Sequence, residues 1–422
     1  MPEATLARWT IDARQRTFDL IEDLEDQELM GPRLAIVNPL LWEIGHVAWF
    51  QEKWVLRHVL KEAPIRDDCD LLYDSSAVPH DLRWHLPLPR REETMAYMRE
   101  VRDRVLDRLA RPDPDSRLLY FARYAIHHED MHDEAFAYTR QTLGYRPPPT
   151  EEAAPLSGAG PLPGDVEVDG GRRFVGATDE DPFVFDNEKW AHGVDVAPFA
   201  IARAPVTQAE FAAFVEDSGY RRLELWDEDG WTWRSSLSAE EPFYWRRAGT
   251  GWERRDFDRF VPLEPHRPVL HVNWHEARAY CRWAGRRLPA EAEWETAASL
   301  DPAGGKRRFP WGDEPPGVDQ AQLDARILGC ADVAAHPEGD SPVGCRQMIG
   351  NVWEWCQDAF LPYPGFVPDA YRDYSQPWFG THRVLRGGCW VTRARLLRNT
   401  WRNFYPPDRR DVWAGFRTCA LR

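Results

Sequence analysis

Residues 124–144 read YAIHHEDMHDEAFAYTRQTLG, with His128 and His132 at positions i and i+4. In a helix that spacing puts both imidazoles on one face. His127 falls about 100° round the helix from His128 and reads as a polar neighbour. Two metal ligands are preset on such a face, so a third must come from elsewhere in the chain.

Working outward, apolar residues recur at three- and four-residue spacing in four segments, Thr5–Leu29, Pro39–Leu60, Glu92–Leu109 and Ser116–Leu143, separated by Pro- or Asp-rich breaks. This pattern predicts an N-terminal four-helix bundle. Asn38 followed by Pro39 is a helix start with a side-chain cap and a first-turn proline. The stretch NPLLWEIGHVAWFQEKW (38–54) carries His46 among Leu41, Trp42, Gly45, Val47, Trp49 and Phe50. An imidazole buried there needs a polar partner, and a metal ion would supply one. Spacing alone also admits a satisfied core histidine at 46 and a solvated pair at 128 and 132. Glu129, Asp133 and Glu134 flank the pair as carboxylates that could orient ligating rings. His58, His80 and His85 read as surface or loop residues.

The block HEDMH (128–132) also fits the HExxH pattern of zinc metalloproteases, in which the Glu is the base. A helical bundle without a strand-lined cleft is the wrong setting for it. A non-catalytic ligand-binding protein with a structural metal is the other alternative, and coordination separates them. A structural site is closed by four protein ligands, whereas three His with an open face suit catalysis.

Residues 145–164 (YRPPPTEEAAPLSGAGPLPG) are rich in Pro, Gly and Ala and lack periodicity, the texture of a linker. The expected organisation is therefore a bundle over 1–144, a linker over 145–164 and a second domain over 165–422. That second domain has short apolar runs, many Gly and Pro, and helices expected at Gln208–Ser218, His275–Gly285 and Ala290–Ser299, which reads as irregular α+β.

Composition narrows the function. With 43% hydrophobic and 29% charged residues and 21 Trp, the 422-residue chain is globular. Its formal net charge of −16 would repel a phosphate backbone, so nucleic acid is not expected as a partner. No apolar stretch approaches the ~20 residues of a membrane span, and the N-terminus lacks a signal-peptide core, so the expected location is cytoplasmic. Seven Cys without a CxxC pair read as reduced thiols.

The bundle motifs LLWEIGHVAWF, the H-E-x-x-H-x-E block from His128 to Glu134 and HDLRWHLPLPRREETMAYM, together with PVTQAEFAAFV, PVLHVNWHEARAYCRWAGRRLPAEAEWE, PWG, GNVWEWCQDAF, RVLRGGCWVTR and RNFYPPDRRDVWAGFR, resemble the ergothioneine-type sulfoxide synthases and the related selenoneine synthases. The resemblance covers nearly the whole chain. It implies a DinB-like four-helix bundle followed by a C-type-lectin-like, formylglycine-generating-enzyme-like (sulfatase-modifying-factor) domain. It also implies an iron-dependent oxidoreductase that uses Fe(2+) and O2 to join hercynine to a chalcogen donor by a C–Se or C–S bond.

Carried over residue by residue, the resemblance implies His46, His128 and His132 as the iron ligands, with open positions left on the metal. It implies Tyr371 or Tyr374, in DAYRDYSQPWFG, as the proton donor. Arg83, and Arg90 with Arg91, stand where the family holds the carboxylates of the donor or of hercynine. Asn403, Phe404 and Tyr405 occupy a segment that commonly reads Asn-Trp-Asp and lines the substrate pocket. Here the Asp is absent, and Met131 replaces a Gln common inside the histidine motif. A different donor follows, and aromatic faces at Trp401, Phe404, Tyr405 and Trp413 suit a sugar ring. This ranks a selenosugar donor first and cysteine or γ-glutamylcysteine second. Trp353, Trp355, Gly387 and Gly388 read as fold determinants. Without a cysteine pair after the RGG block, copper-dependent formylglycine generation is not expected, and Cys389 reads as a buried small residue.

Overall fold

Two arginines decide where the first helix stops. In the computed structural model, which describes residues 3–149, 158–301 and 305–421, α1 runs over Glu3–Asp19 and α2 over Asp26–Met30. The single helix expected over Thr5–Leu29 is thus interrupted. Leu20, Ile21 and Leu24 stay buried across the break, so the apolar spacing continues while the helix does not. The carbonyls released there are taken by guanidinium groups: Arg140 donates to Leu20 O at 2.8 Å, and Arg91 to Leu24 O, Ile21 O and Glu22 O at 2.5, 2.8 and 3.2 Å. Buried backbone acceptors must be satisfied, and here side chains from distant helices do it.

The bundle continues with α3 (Leu40–Gln51), wound on as a π-helix over Glu52–Val59, then α4 (Cys69–Tyr73), α5 (Arg91–Leu109) and α6 (Ser116–Leu143). Asn38 does not cap α3; its Oδ1 accepts from Arg83 at 2.7 Å, and Pro39 occupies the cap position. Asp115 caps α6 by accepting from Arg117 N at 2.9 Å, and Gly144 closes it at φ 69°. Helices α1 and α3 both pack against α5 and α6. One buried guanidinium, Arg14 on α1, reaches all three partners: Glu129 on α6 at 2.6 and 3.1 Å, Gln51 on α3 at 3.2 Å and the carbonyl of Met98 on α5.

The chain divides into two compact units, Met1–Pro149 and Thr150–Arg422. Of the linker expected over 145–164, residues 150–157 lie outside the described residues. The second unit is α+β. Its strands are β1 (Asp165–Val168), β2 (Gly171–Val175), β3 (His192–Val196), β4 (Phe199–Ala202), β5 (Trp245–Ala248), β6 (Gly251–Asp256), β7 (Arg259–Pro262), β8 (Arg286–Arg287), β9 (Trp353–Ala359), β10 (Arg383–Arg386), β11 (Asn403–Tyr405), β12 (Ala414–Gly415) and β13 (Cys419–Ala420). They form sheets ordered β1-β4-β13-β8 and β11-β10-β9-β12, a hairpin β2-β3 and a meander β5-β6-β7. Helices α7 (Gln208–Glu216), α9 (Trp274–Trp283) and α10 (Glu291–Ser299) fall where the apolar pattern placed them; α8 (Glu228–Leu237) was not expected.

The GNVWEW block works as a core clamp. Trp353 and Trp355 are fully buried. Glu354 between them accepts from Arg417 at 2.6 and 2.7 Å and from the Trp294 indole at 2.8 Å. Gly387 follows with φ +98°, where an added Cβ would lie 2.6 Å from Met348 O, so only glycine fits. Cys389 is buried, like the other six cysteines, all of them free thiols.

Candidate metal centre

His46 is delivered by a close approach that its neighbour permits. At Gly45 a Cβ would stand 2.2 Å from the Tyr73 ring, so glycine lets α4 press onto α3. The Tyr73 carbonyl then lies 2.8 Å from His46 Nδ1. A carbonyl only accepts, so Nδ1 carries the proton and Nε2 keeps its lone pair. The ring is held between Trp42 and Trp49, at centroid distances of 4.8 and 5.5 Å.

His128 and His132 come from consecutive turns of α6. His128 lies flat on Phe50 at 3.6 Å. His132 donates from Nδ1 to Glu43 Oε1 at 2.6 Å, which again leaves Nε2 as the free donor atom. Glu43 is itself buried, one turn before His46 on α3. Ring centroids of the three histidines stand 4.5–5.1 Å apart, and one nitrogen from each lies within 4.8 Å of the others. Among the described residues the cluster is three imidazoles without a carboxylate or thiolate.

Burial first, then the neighbouring His132, holds the His46 and His128 imidazoles well below the ordinary histidine range. Both are therefore neutral near pH 7, the form in which imidazole binds a metal. Three imidazole nitrogens, with the Nδ1 partners of His46 and His132 already set, fit a divalent transition metal such as iron, zinc or copper.

Glu129 and Asp133, next to the histidines in sequence, do not orient them. Glu129 faces α1, where Arg14 takes both of its oxygens and Thr17 Oγ1 lies 3.0 Å away. This also removes the metalloprotease reading, since the HExxH glutamate is locked in a buried ion pair. Asp133 lies on the same side, 2.8 Å from Thr17 Oγ1; burial, then Glu129, pushes its carboxyl well above the usual range. Glu43, 89 positions from His132, is the orienting group that the flanking pattern missed. His127 is fully buried and accepts from Arg123 at 3.1 Å.

The arginines expected to hold carboxylates divide. Arg83 donates to Asn38 at 2.7 Å and to the carbonyls of Ser75 and Val78, and its guanidinium lies 3.9 Å over Trp42, on whose ring His46 stacks. Arg91 is spent on the α1–α2 break. Arg90, at the α5 N-terminus, is exposed.

The remaining named residues belong to the second unit. Phe404 on β11 stacks on Phe360 at 4.0 Å, Asn403 Oδ1 accepts from Phe404 N at 2.8 Å, and Arg409 stands 5.4 Å from the Tyr405 ring. Tyr374 stacks on Phe185 at 4.6 Å and lies 3.4 Å from the Trp401 indole nitrogen. Desolvation raises its phenol well above the ordinary tyrosine value. Tyr371 is half-buried, just before the short 3₁₀ turn Arg372–Tyr374.

Comparison with known proteins adds relatives to this geometry. Residues 10–136 match the DinB superfamily, and residues 150–421 match the sulfatase-modifying factor enzyme 1-like domain. The chain is 40% identical to the hercynine oxygenase of Mycolicibacterium thermoresistibile, over 98% of this chain and 94% of that one. It is 38% identical to the hercynine oxygenase of Mycolicibacterium smegmatis, over 98% of each. The formylglycine-generating enzyme of Streptomyces coelicolor is 34% identical over 65% of this chain and 95% of its own.

Proposed function

As the chain belongs to the family of the hercynine oxygenases and is an oxidative enzyme, we propose that it is a selenoneine synthase: it joins hercynine to a selenosugar with Fe(2+) and O2, through His46, His128 and His132. Bound at these histidines, Fe(2+) supplies the open coordination positions and one-electron chemistry that dioxygen needs.

The protein's own groups supply the rest. Glu43 and the Tyr73 carbonyl fix two ligand tautomers, and burial keeps His46 and His128 unprotonated. Tyr374 keeps its proton throughout the physiological range, the state a proton donor requires; Tyr371 is the alternative donor. Arg90 is left for a carboxylate such as that of hercynine, with Asn403, Phe404 and Tyr405 as the donor-lining segment.

The commitment of Arg83 and Arg91 is the observation that carries the choice of donor. The Nη1 and Nη2 groups of both are bonded inside the bundle, and residue 405 is Tyr where an acid is common. A neutral sugar suits that arrangement better than a donor carrying carboxylates and an ammonium group. The identity of about 40% to enzymes named hercynine oxygenase favours a second reading, an ergothioneine-type sulfoxide synthase using cysteine or γ-glutamylcysteine.

The test is direct turnover. Anaerobic Fe(2+)-loaded protein receives hercynine and, in parallel, a selenosugar, γ-glutamylcysteine or cysteine, before O2 is admitted. Mass spectrometry should find the C–Se product. A C–S sulfoxide alone would establish the second reading, and no product with any donor would sink both.

A further inference from the structure

Helix α9, the edge strand β8 and the start of β10 enclose a groove of about 490 Å³ in the second unit, lined by Trp274, Arg278, Arg282, Arg286, Arg287 and Arg383 and, among the described residues, by no Asp or Glu. On a chain of net charge −16, five arginines in one concavity are a local reversal of sign. Concave sites of this size hold small molecules, and one sign of charge in them concentrates the opposite ion.

Three of the five cations are balanced from outside the groove. Arg286 pairs with Asp165 at 2.7 Å, Arg287 with Glu293 at 2.6 Å, and Arg278 with Asp227. The other two are not. Among the described residues Arg282 makes one hydrogen bond, to the Leu225 carbonyl at 3.2 Å. Arg383 lies over the Trp274 ring at 4.1 Å, beside Arg278 over the same ring at 4.5 Å. Among the described residues neither Arg282 nor Arg383 has a carboxylate within 4.0 Å. The indole beneath is anchored, because Trp274 Nε1 donates to Cys356 O at 2.9 Å. Desolvation, and then the charge on Arg278, lowers the proton affinity of Arg383, as a half-buried cation facing a like charge should show.

We infer that this groove binds a small multivalent oxyanion, a phosphate or diphosphate group carried by a small molecule, with Arg383 and Arg282 as its ligands and Trp274 as the platform. Guanidinium forks match the geometry of phosphate oxygens and are always charged. The groove is built from residues of the second unit and the histidine cluster from residues of the first, and the inference does not depend on which donor the proposed reaction uses.

Isothermal titration calorimetry of the full chain with inorganic phosphate and with pyrophosphate tests it, using acetate as a monovalent control. Pyrophosphate should bind saturably with one site, more tightly than phosphate, and more weakly as salt rises. Arg383→Ala and Arg282→Ala should each weaken it by about tenfold, the loss typical of one charge-assisted contact. Arg282 is exposed, so its replacement reports on binding even where Arg383→Ala disturbs β10. Absence of saturable heat, acetate binding equal to pyrophosphate, or unchanged affinity in both variants would overturn the assignment.

Discussion

Glu43 Oε1 lies 2.6 Å from His132 Nδ1, and the two residues come from α3 and α6. The carboxylate thereby ties the helix that carries His46 to the helix that carries the other two histidines. It fixes which nitrogen of His132 is free and where that nitrogen points. Glu43→Ala should therefore lower metal affinity by about 10- to 100-fold, the usual loss when such a partner is removed. Competition against a chromophoric chelator measures it directly. Unchanged affinity in a folded variant would mean the contact is incidental.

The tandem histidines at 127 and 128 offer a matched pair of substitutions. His128→Ala or His132→Ala should abolish stoichiometric iron binding, since two imidazoles remain. His127→Ala should keep the metal, because His127 points to Arg123. It should still cost about 1–3 kcal/mol of stability, as a buried hydrogen-bond partner is removed. Iron content by atomic emission and a thermal melt distinguish the two effects; iron retained in His132→Ala would refute the triad.

The sequence made the i, i+4 histidines readable because both ride on one regular helix, and His46 because its neighbours are apolar. The partner of His132 was not readable. Glu129 and Asp133 are adjacent in sequence but face Arg14 and Thr17 on α1, whereas Glu43 meets His132 only after the bundle folds. The break after Asp19 escaped for a similar reason, since its carbonyls are satisfied by Arg91 and Arg140 from distant helices. Helix α8 escaped for the opposite one. Gly230 alone is buried in it, so no apolar stripe marks it, and the Asp227 side-chain cap on Gly230 N at 2.8 Å is its main local signal.

Arg14 and Glu129 are both buried, at 2.6 Å. Removing one partner leaves a charge without compensation in the bundle, so Arg14→Ala or Glu129→Ala should cost about 3–5 kcal/mol. Replacing both, as in Arg14→Met with Glu129→Leu, should recover much of that loss. Guanidinium melts of the single and double variants provide the comparison. Simple additivity of the two single losses would show that the pair is not coupled.

His271 gives the second unit a calculable pH response. Its ring lies 4.7 Å from those of Tyr244 and Trp413. Burial first, then Arg254 and Arg255, pushes its pKa to about 3, from 6.5 in the unfolded chain. Between those values the unfolded state binds a proton that the folded state refuses. Stability from this residue is thus complete above pH 6.5 and is lost as pH falls toward 3, at no more than about 1.4 kcal/mol per pH unit. The residue has φ +60°, which asparagine tolerates, so His271→Asn removes the titration without forcing the backbone. Urea midpoints at pH 7.5 and 5.5 should separate further in the wild type than in His271→Asn. Equal separation would show that other groups, the buried His46 and His128 among them, carry the whole effect.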